Sequence, residues 1–181
     1  MELVDIFDAN GNPTGVVRDR KAPLREGEYH LAVGAWVMDP EGNILLTKRS
    51  MQKSFAPGKW ENTAGHVQAG EDPADAILRE LWEETGIRAA KENLVLLGNA
   101  KLDHYLGKNY GLRLTERPQR LTLQPGETDD AKWVTPEELA AMDKSGELAP
   151  SILEHLKSGY LAPFLKFIGR ESGLFEREET L

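Results

Sequence analysis

Three glutamates stand at the spacing that oxygen-ligand chemistry needs. Glu80, Glu83 and Glu84 lie three and four residues apart in the segment Asp72–Thr85. At 100° per residue, with Glu80 at zero, they share an arc from roughly −60° to 40°. Ile77, Leu81, Ala74, Thr85, Leu78 and Trp82 fill a second arc, from roughly 60° to 200°, that reads as the buried stripe. An exposed acidic face would cost only about 0.2–0.5 kcal/mol per like-charge pair. Two features argue for more than a solvated face. Glu83 and Glu84 occupy the last turn, where the helix dipole disfavours negative charge, and Arg79 is the one nearby base. In a partly buried setting, two carboxylates about 6 Å apart at an effective dielectric near 20 repel by roughly 3 kcal/mol. A divalent cation reverses that sign. An oxygen-only set in a chain without cysteine favours Mg²⁺ or Mn²⁺ over zinc.

The elements around this face follow from the pattern. Asp72 can cap the helix, Pro73 suits its first turn, and Gly86 can end it. Short strands are expected at Glu2–Phe7 and Thr14–Arg18 around an Asp-Ala-Asn-Gly turn. A buried strand is expected at Leu31–Met38, a hairpin return at Ile44–Lys48, and a strand near Thr63–Val67. Ser50–Glu61 reads as loop. Leu94–Leu106 and Tyr110–Leu123 read as extended, Ala131–Val134 as a short strand, and the segments from Thr135, Pro150 and Leu161 as helices. Strands early and helices late indicate one α/β or α+β domain with a mixed sheet, spanning 1–181.

Residues 65–87 read GHVQAGEDPADAILRELWEETGI. This resembles the Nudix box, G-x5-E-x7-R-E-U-x-E-E-x-G-U, where U is a bulky apolar residue. Gly65, Glu71, Arg79, Glu80, Leu81, Glu83, Glu84, Gly86 and Ile87 fill its fixed positions. Upstream, Glu28-Tyr29-His30-Leu31-Ala32, Leu46–Ser50, Lys53, Pro57-Gly58-Lys59-Trp60 and Ala64-Gly65-His66 are similar to the branch that includes isopentenyl-diphosphate isomerase. The resemblance implies an α/β/α sandwich around a mixed sheet and metal-dependent cleavage of a diphosphate linked to another moiety, X. It implies metal contacts from Glu80, Glu83, Glu84 and the Gly65 carbonyl. A general base would come from these carboxylates or from Glu127, and Arg79 with Glu71 would orient loop and helix. Gly70 would serve backbone geometry.

The isomerase branch carries a cysteine where this chain has Ala64, and a histidine where it has Pro23. Hydrolysis is therefore favoured over isomerisation, and a non-catalytic diphosphate-binding module is the other class. His30 and His66 match positions of the isomerase's metal site and are candidates for substrate contact. Arg49, Lys53 and Lys59 are candidate phosphate contacts beside the Pro57-Gly58 loop, and Tyr105–Arg120 is the expected specificity segment. Trp36 and Trp60 read as core.

The formal charge is −8 over 181 residues. Segment 71–84 carries −5 of it and 171–181 carries −3, the latter read as a solvated, frayed tail. An acidic chain is not expected to bind nucleic-acid polymers through a basic surface. The longest apolar run, Leu31–Met38, is well short of the ~20 residues a membrane helix needs. No secretory signal is expected from the opening residues. A cytoplasmic enzyme, with a homodimer implied at family level, completes the reading.

Overall fold

The computed structural model describes residues 2–171 and 173–175. A two-stranded antiparallel ribbon comes first, β1 (Leu3–Phe7) and β2 (Pro13–Asp19). Asp8 builds its turn by accepting from the backbone N–H groups of Asn10 and Asn12. The main sheet has seven strands: β3 (His30–Met38), β4 (Ile44–Arg49), β5 (Trp60–Glu61), β6 (Thr63–His66), β7 (Leu94–Leu102), β8 (Tyr105–Arg113) and β9 (Thr128–Val134). Its path is β5-β4-β3-β8-β7, with β6 on β3 and β9 on β4. β3 and β8 run parallel and the other pairs antiparallel, so the sheet is mixed.

Alternation along β3 divides the core. Leu31, Val33, Ala35 and Val37 face α1 (Pro73–Thr85), packing with Ala76, Ile77 and Leu81. Trp36 and Met38 face the other way, onto α2 (Pro136–Ser145), α3 (Pro150–His155) and α4 (Leu161–Ile168). A π-helical turn, Leu156–Tyr160, joins α3 to α4 and brings the Tyr160 hydroxyl within 3.1 Å of the Trp36 indole N–H that donates to it. This is the expected sandwich around a mixed sheet. Among the described residues, no helix is long and apolar enough to cross a membrane.

Three expectations change. The turn between the long strands is Asp103–His104, not Gly107–Asn109, so the strands are 94–102 and 105–113. Gly107 and Asn109 lie inside β8 beside Ala32 and Gly34, and the Asn109 amide packs across Gly34, where a Cβ would lie 2.9 Å from its oxygen. Residues 114–127 then form no strand, and Trp60–Glu61, expected as loop, pairs with β4. The tail does not begin at 171 as solvated chain, since Phe175 is buried against Phe164. Residues 176–181, the rest of that expectation, lie outside the described residues.

Candidate active site

α1 is fixed at both ends. The Asp72 carboxylate accepts from the Ala74 N–H at 2.9 Å, and Gly86, at φ 75°, closes the last turn by donating to the Trp82 carbonyl. Its buried stripe is rotated from the expected one. Ala76, on the carboxylate side of the wheel, is fully buried, whereas Trp82 is half exposed under the Arg88 guanidinium. The carboxylate face is thus turned toward the protein.

Arg79 organises that face. Its Nε and Nη2 donate to the two oxygens of Glu71 at 2.9 and 3.0 Å. Nη1 donates to Glu80 at 2.8 Å and to Glu83 at 3.4 Å, and Nη2 also reaches the His66 carbonyl at 3.1 Å. These bonds, led by that to Glu71, raise the already high Arg79 pKa. The guanidinium ties the loop before α1, the helix and strand β6 into one unit. Gly70 holds φ 74° and donates to Asp5, a backbone role.

Gly65 is where β6 meets the helix. A Cβ there would lie 2.1 Å from Glu80 Cδ and 2.2 Å from Oε1, inside any real contact. Only glycine lets the carboxylate lie against the strand. Burial pushes the Glu80 carboxyl above its usual range, with Arg79 opposing. Glu84 is displaced further. Burial first, then the charges of Glu61 and Glu80, raise it well above the usual range, and its buried Oε2 has no hydrogen-bond partner among the described residues.

A carboxylate that sequence reading missed joins the group. Glu61 accepts from Arg49 Nη1 at 2.8 Å through each oxygen. Burial raises its carboxyl against that partner. The signal was available: Glu61, Thr63 and Gly65 alternate on one face of an extended segment. Arg49 is therefore engaged with Glu61 and with the Phe55 carbonyl. Lys53 pairs with Glu127, and burial together with the Arg49 charge lowers its pKa. The Lys59 ammonium donates to the Gly146 carbonyl at 2.7 Å, at the end of α2, and makes no contact with the carboxylate group among the described residues.

Six carboxylates (Glu61, Glu71, Glu80, Glu83, Glu84, Glu127) thus face three bases (Arg49, Lys53, Arg79). Among the described residues, no three carboxylates or imidazoles already converge at ligand distance, because Arg79 draws Glu80 and Glu83 to itself. The donor set still suits a hard divalent cation: oxygen atoms only, an excess of negative charge, an orphaned buried Glu84 oxygen and a carboxylate cradled on Gly65.

His30 and His66 lie across the strand, on the opposite face, with ring centroids 6.0 Å apart. Tyr105 edges both, at 6.1 and 5.6 Å. Burial, then the charge of Arg20 from the end of β2, lowers both imidazoles, His66 to about 4. Each Nε2 is buried with no hydrogen-bond partner among the described residues.

The family model described as the NUDIX domain matches residues 28–156. An uncharacterised Nudix hydrolase of Listeria monocytogenes is 33% identical over 156 residues, covering 83% of this chain and 89% of that protein. The isopentenyl-diphosphate Delta-isomerase of Pectobacterium atrosepticum is 29% identical over 147 residues, 77% of this chain and 74% of its own. The crystal structure of DR0079 from Deinococcus radiodurans superposes with a TM-score of 0.70 at 25% identity, over 86% of this chain and 96% of that one. With its box helix and sheet inside the matched span, the chain belongs to the Nudix family and is a pyrophosphohydrolase of the Nudix type.

Proposed function

We propose that this enzyme cleaves the diphosphate linkage of an X-linked diphosphate by attack of water at phosphorus, with Mg²⁺ or Mn²⁺ as its cation. The observation that carries the reading is the orphaned Glu84 oxygen, buried within an excess of carboxylates. An uncompensated buried charge is costly and persists where another group completes it. Glu80, Glu83, Glu84 and the Gly65 carbonyl would hold the cation. When bound, it neutralises the phosphate oxygens as charge develops.

The chain's own residues do the rest. Arg79, held by Glu71, fixes Glu80 and Glu83 beside β6. Lys53 and Arg49, each beside a carboxylate, supply positive charge at the border of the site and can exchange those partners for phosphate oxygens. Glu127, at the end of a loop and partly exposed, or one of the α1 carboxylates, would accept the proton from water.

Isomerisation is disfavoured by particular residues. Ala64 offers no thiol, and Tyr105, Gly107 and Asn109, the β8 positions on the face of His30 and His66, supply no carboxylate to a histidine site. The test is hydrolysis of diphosphate compounds with Mg²⁺, Mn²⁺ or EDTA, by wild type and by Glu83→Gln and Glu84→Gln. Metal-dependent phosphate release that falls by about 10²-fold or more in both variants, with an intact circular-dichroism spectrum, is expected. Wild-type turnover in either variant would sink the cation assignment. Tight ligand binding without release under any cation would favour a binding module instead.

A further inference from the structure

The four-residue turn Gln68–Glu71 leads into α1 and carries the carboxylate that holds Arg79. The Glu71 N–H donates to the Gln68 carbonyl at 3.0 Å, and Gly70, at φ 74°, takes the third position, where glycine belongs. The Glu71 carboxylate reaches back to accept from the Gln68 N–H at 3.0 Å. A turn of this kind leaves its two central N–H groups without partners of its own. Here β1 takes both. Ala69 donates to the Leu3 carbonyl at 2.9 Å, and Gly70 donates to the Asp5 carboxylate at 2.8 Å. All four N–H groups of the turn are thereby paired.

The partner is remote in sequence. Asp5 precedes Gly70 by 65 residues and lies ahead of the residues 28–156 matched to the NUDIX domain. Along β1, Val4 and Ile6 are fully buried, whereas Asp5, between them, turns to the Gly70 N–H. Core packing therefore does not require a carboxylate at this position. From Gly70 the connection runs on through short bonds. Glu71 is the next residue, Arg79 binds both of its oxygens, and the same guanidinium fixes Glu80 at 2.8 Å and Glu83 at 3.4 Å. A carboxylate accepting from a backbone N–H makes a charge-assisted bond, stronger than a neutral one. The Asp5 bond stiffens the turn at the residue before Glu71.

Resting on the diphosphate reading above, we propose that Asp5 is a positioning residue of the hydrolase: by holding Gly70 it sets Glu71 and, through Arg79, the lie of Glu80 and Glu83. It acts at one remove from the phosphates and the cation. What the role requires is an acceptor at that point.

Asp5→Ala and Asp5→Asn are compared with wild type, first as metal-free whole protein. Exchange of the Arg79 Nε–H with water, followed by NMR, reports the bond to Glu71. Exchange of the Trp36 indole N–H, bonded to Tyr160 in the other half of the core, reports general opening. Asp5→Ala should speed the Arg79 exchange by about tenfold and leave the Trp36 exchange unchanged; Asp5→Asn, which keeps an acceptor for Gly70, should bring it back to within about threefold of wild type. With Mg²⁺, kcat on a diphosphate compound should follow the same order, down by about tenfold in Asp5→Ala and restored in Asp5→Asn, the size of loss seen when a group that orients a metal ligand is removed. An Arg79 exchange rate indifferent to Asp5→Ala, an equal rise at Trp36, a kcat that ignores Asp5→Ala, or no recovery in Asp5→Asn would each overturn the proposal. Should wild type itself release no phosphate while the exchange rates keep their order, the hydrolase reading fails and the hold of Asp5 on Arg79 stands.

Discussion

The two faces of the sheet solve opposite problems around one strand. On the α1 face, charge is abundant: Arg79 alone holds three carboxylates, yet Glu84 keeps a buried oxygen without a partner. On the other face the polar groups are the neutral side chains of His30, His66 and Asn109. β6 serves both, with Gly65 on one side and Ala64 and His66 on the other. Strand alternation separates a charged centre from an uncharged one by a single residue. The incomplete group differs too. The charged face lacks positive charge, and the neutral face lacks hydrogen-bond partners.

The largest effect expected from breaking this division is at Gly65. Gly65→Ala drives a methyl into Glu80 and should cut turnover by about 10²-fold or more, the usual result of misplacing a catalytic group by an ångström. Steady-state kinetics beside an unchanged circular-dichroism spectrum checks it. Ala64→Gly, one residue away on the other face, should leave the Glu80 position intact.

Next in size is a trade of function for stability. Glu84→Gln removes the carboxylate that burial holds well above its usual pKa. In EDTA it should stabilise the fold by about 1 kcal/mol, a Tm gain of about 2–4 °C, while turnover is lost. A lower Tm would show that the Glu84 charge is already compensated.

The same group sets a pH dependence. With its folded pKa raised, the folded state holds the Glu84 proton longer than the unfolded state. Its effect on stability therefore falls as pH rises from about 4.5 toward the folded value. Mg²⁺ binds the ionised form, so the Tm gain on adding Mg²⁺ should be larger at pH 8 than at pH 5.5, by differential scanning fluorimetry. An equal gain at both would break the link between burial and cation.

The neutral face has the opposite sign. His66, pushed down to about 4, is uncharged in the fold well below the ordinary histidine value of 6.5. The stability tied to this is full above about pH 6.5 and is lost as pH falls toward and through 4. An NMR titration should find its imidazole neutral at pH 6. The smallest effect is at Lys59→Met, which should leave kcat unchanged and cost no more than about 1 kcal/mol, since it removes one exposed bond to the end of α2.

What could be read in advance follows from distance along the chain. The α1 carboxylates are legible because one helix sets their spacing, and Glu71, Arg79 and Gly65 stand at fixed offsets from it. The pair Arg49–Glu61 was not, because β4 and β5 bring its members together across 12 residues that read as loop. Gly107 and Asn109 break the expected extended segments because types that favour turns also occur inside a sheet, where Asn109 packs across Gly34. The contact of Lys59 with the end of α2 is not legible either, because sequence pattern does not set the direction of a long, flexible side chain. The tilt of α1, which buries Ala76 and frees Trp82, depends on the sheet beneath it and has no counterpart in helical periodicity alone.

The π turn at Leu156–Tyr160 ties chain length to topology. Such a turn is an α-helix that has accepted one surplus residue. Here the surplus lets Gly159 lie against β7, where a Cβ would meet the Asn99 carbonyl at 2.3 Å, and aims Tyr160 at Trp36. Remove one residue and everything beyond turns by about 100°, carrying Phe164 and Phe167 off the sheet they cover. A related sequence that aligns here with a one-residue gap therefore records a different seating of its last helix, however well its box is kept.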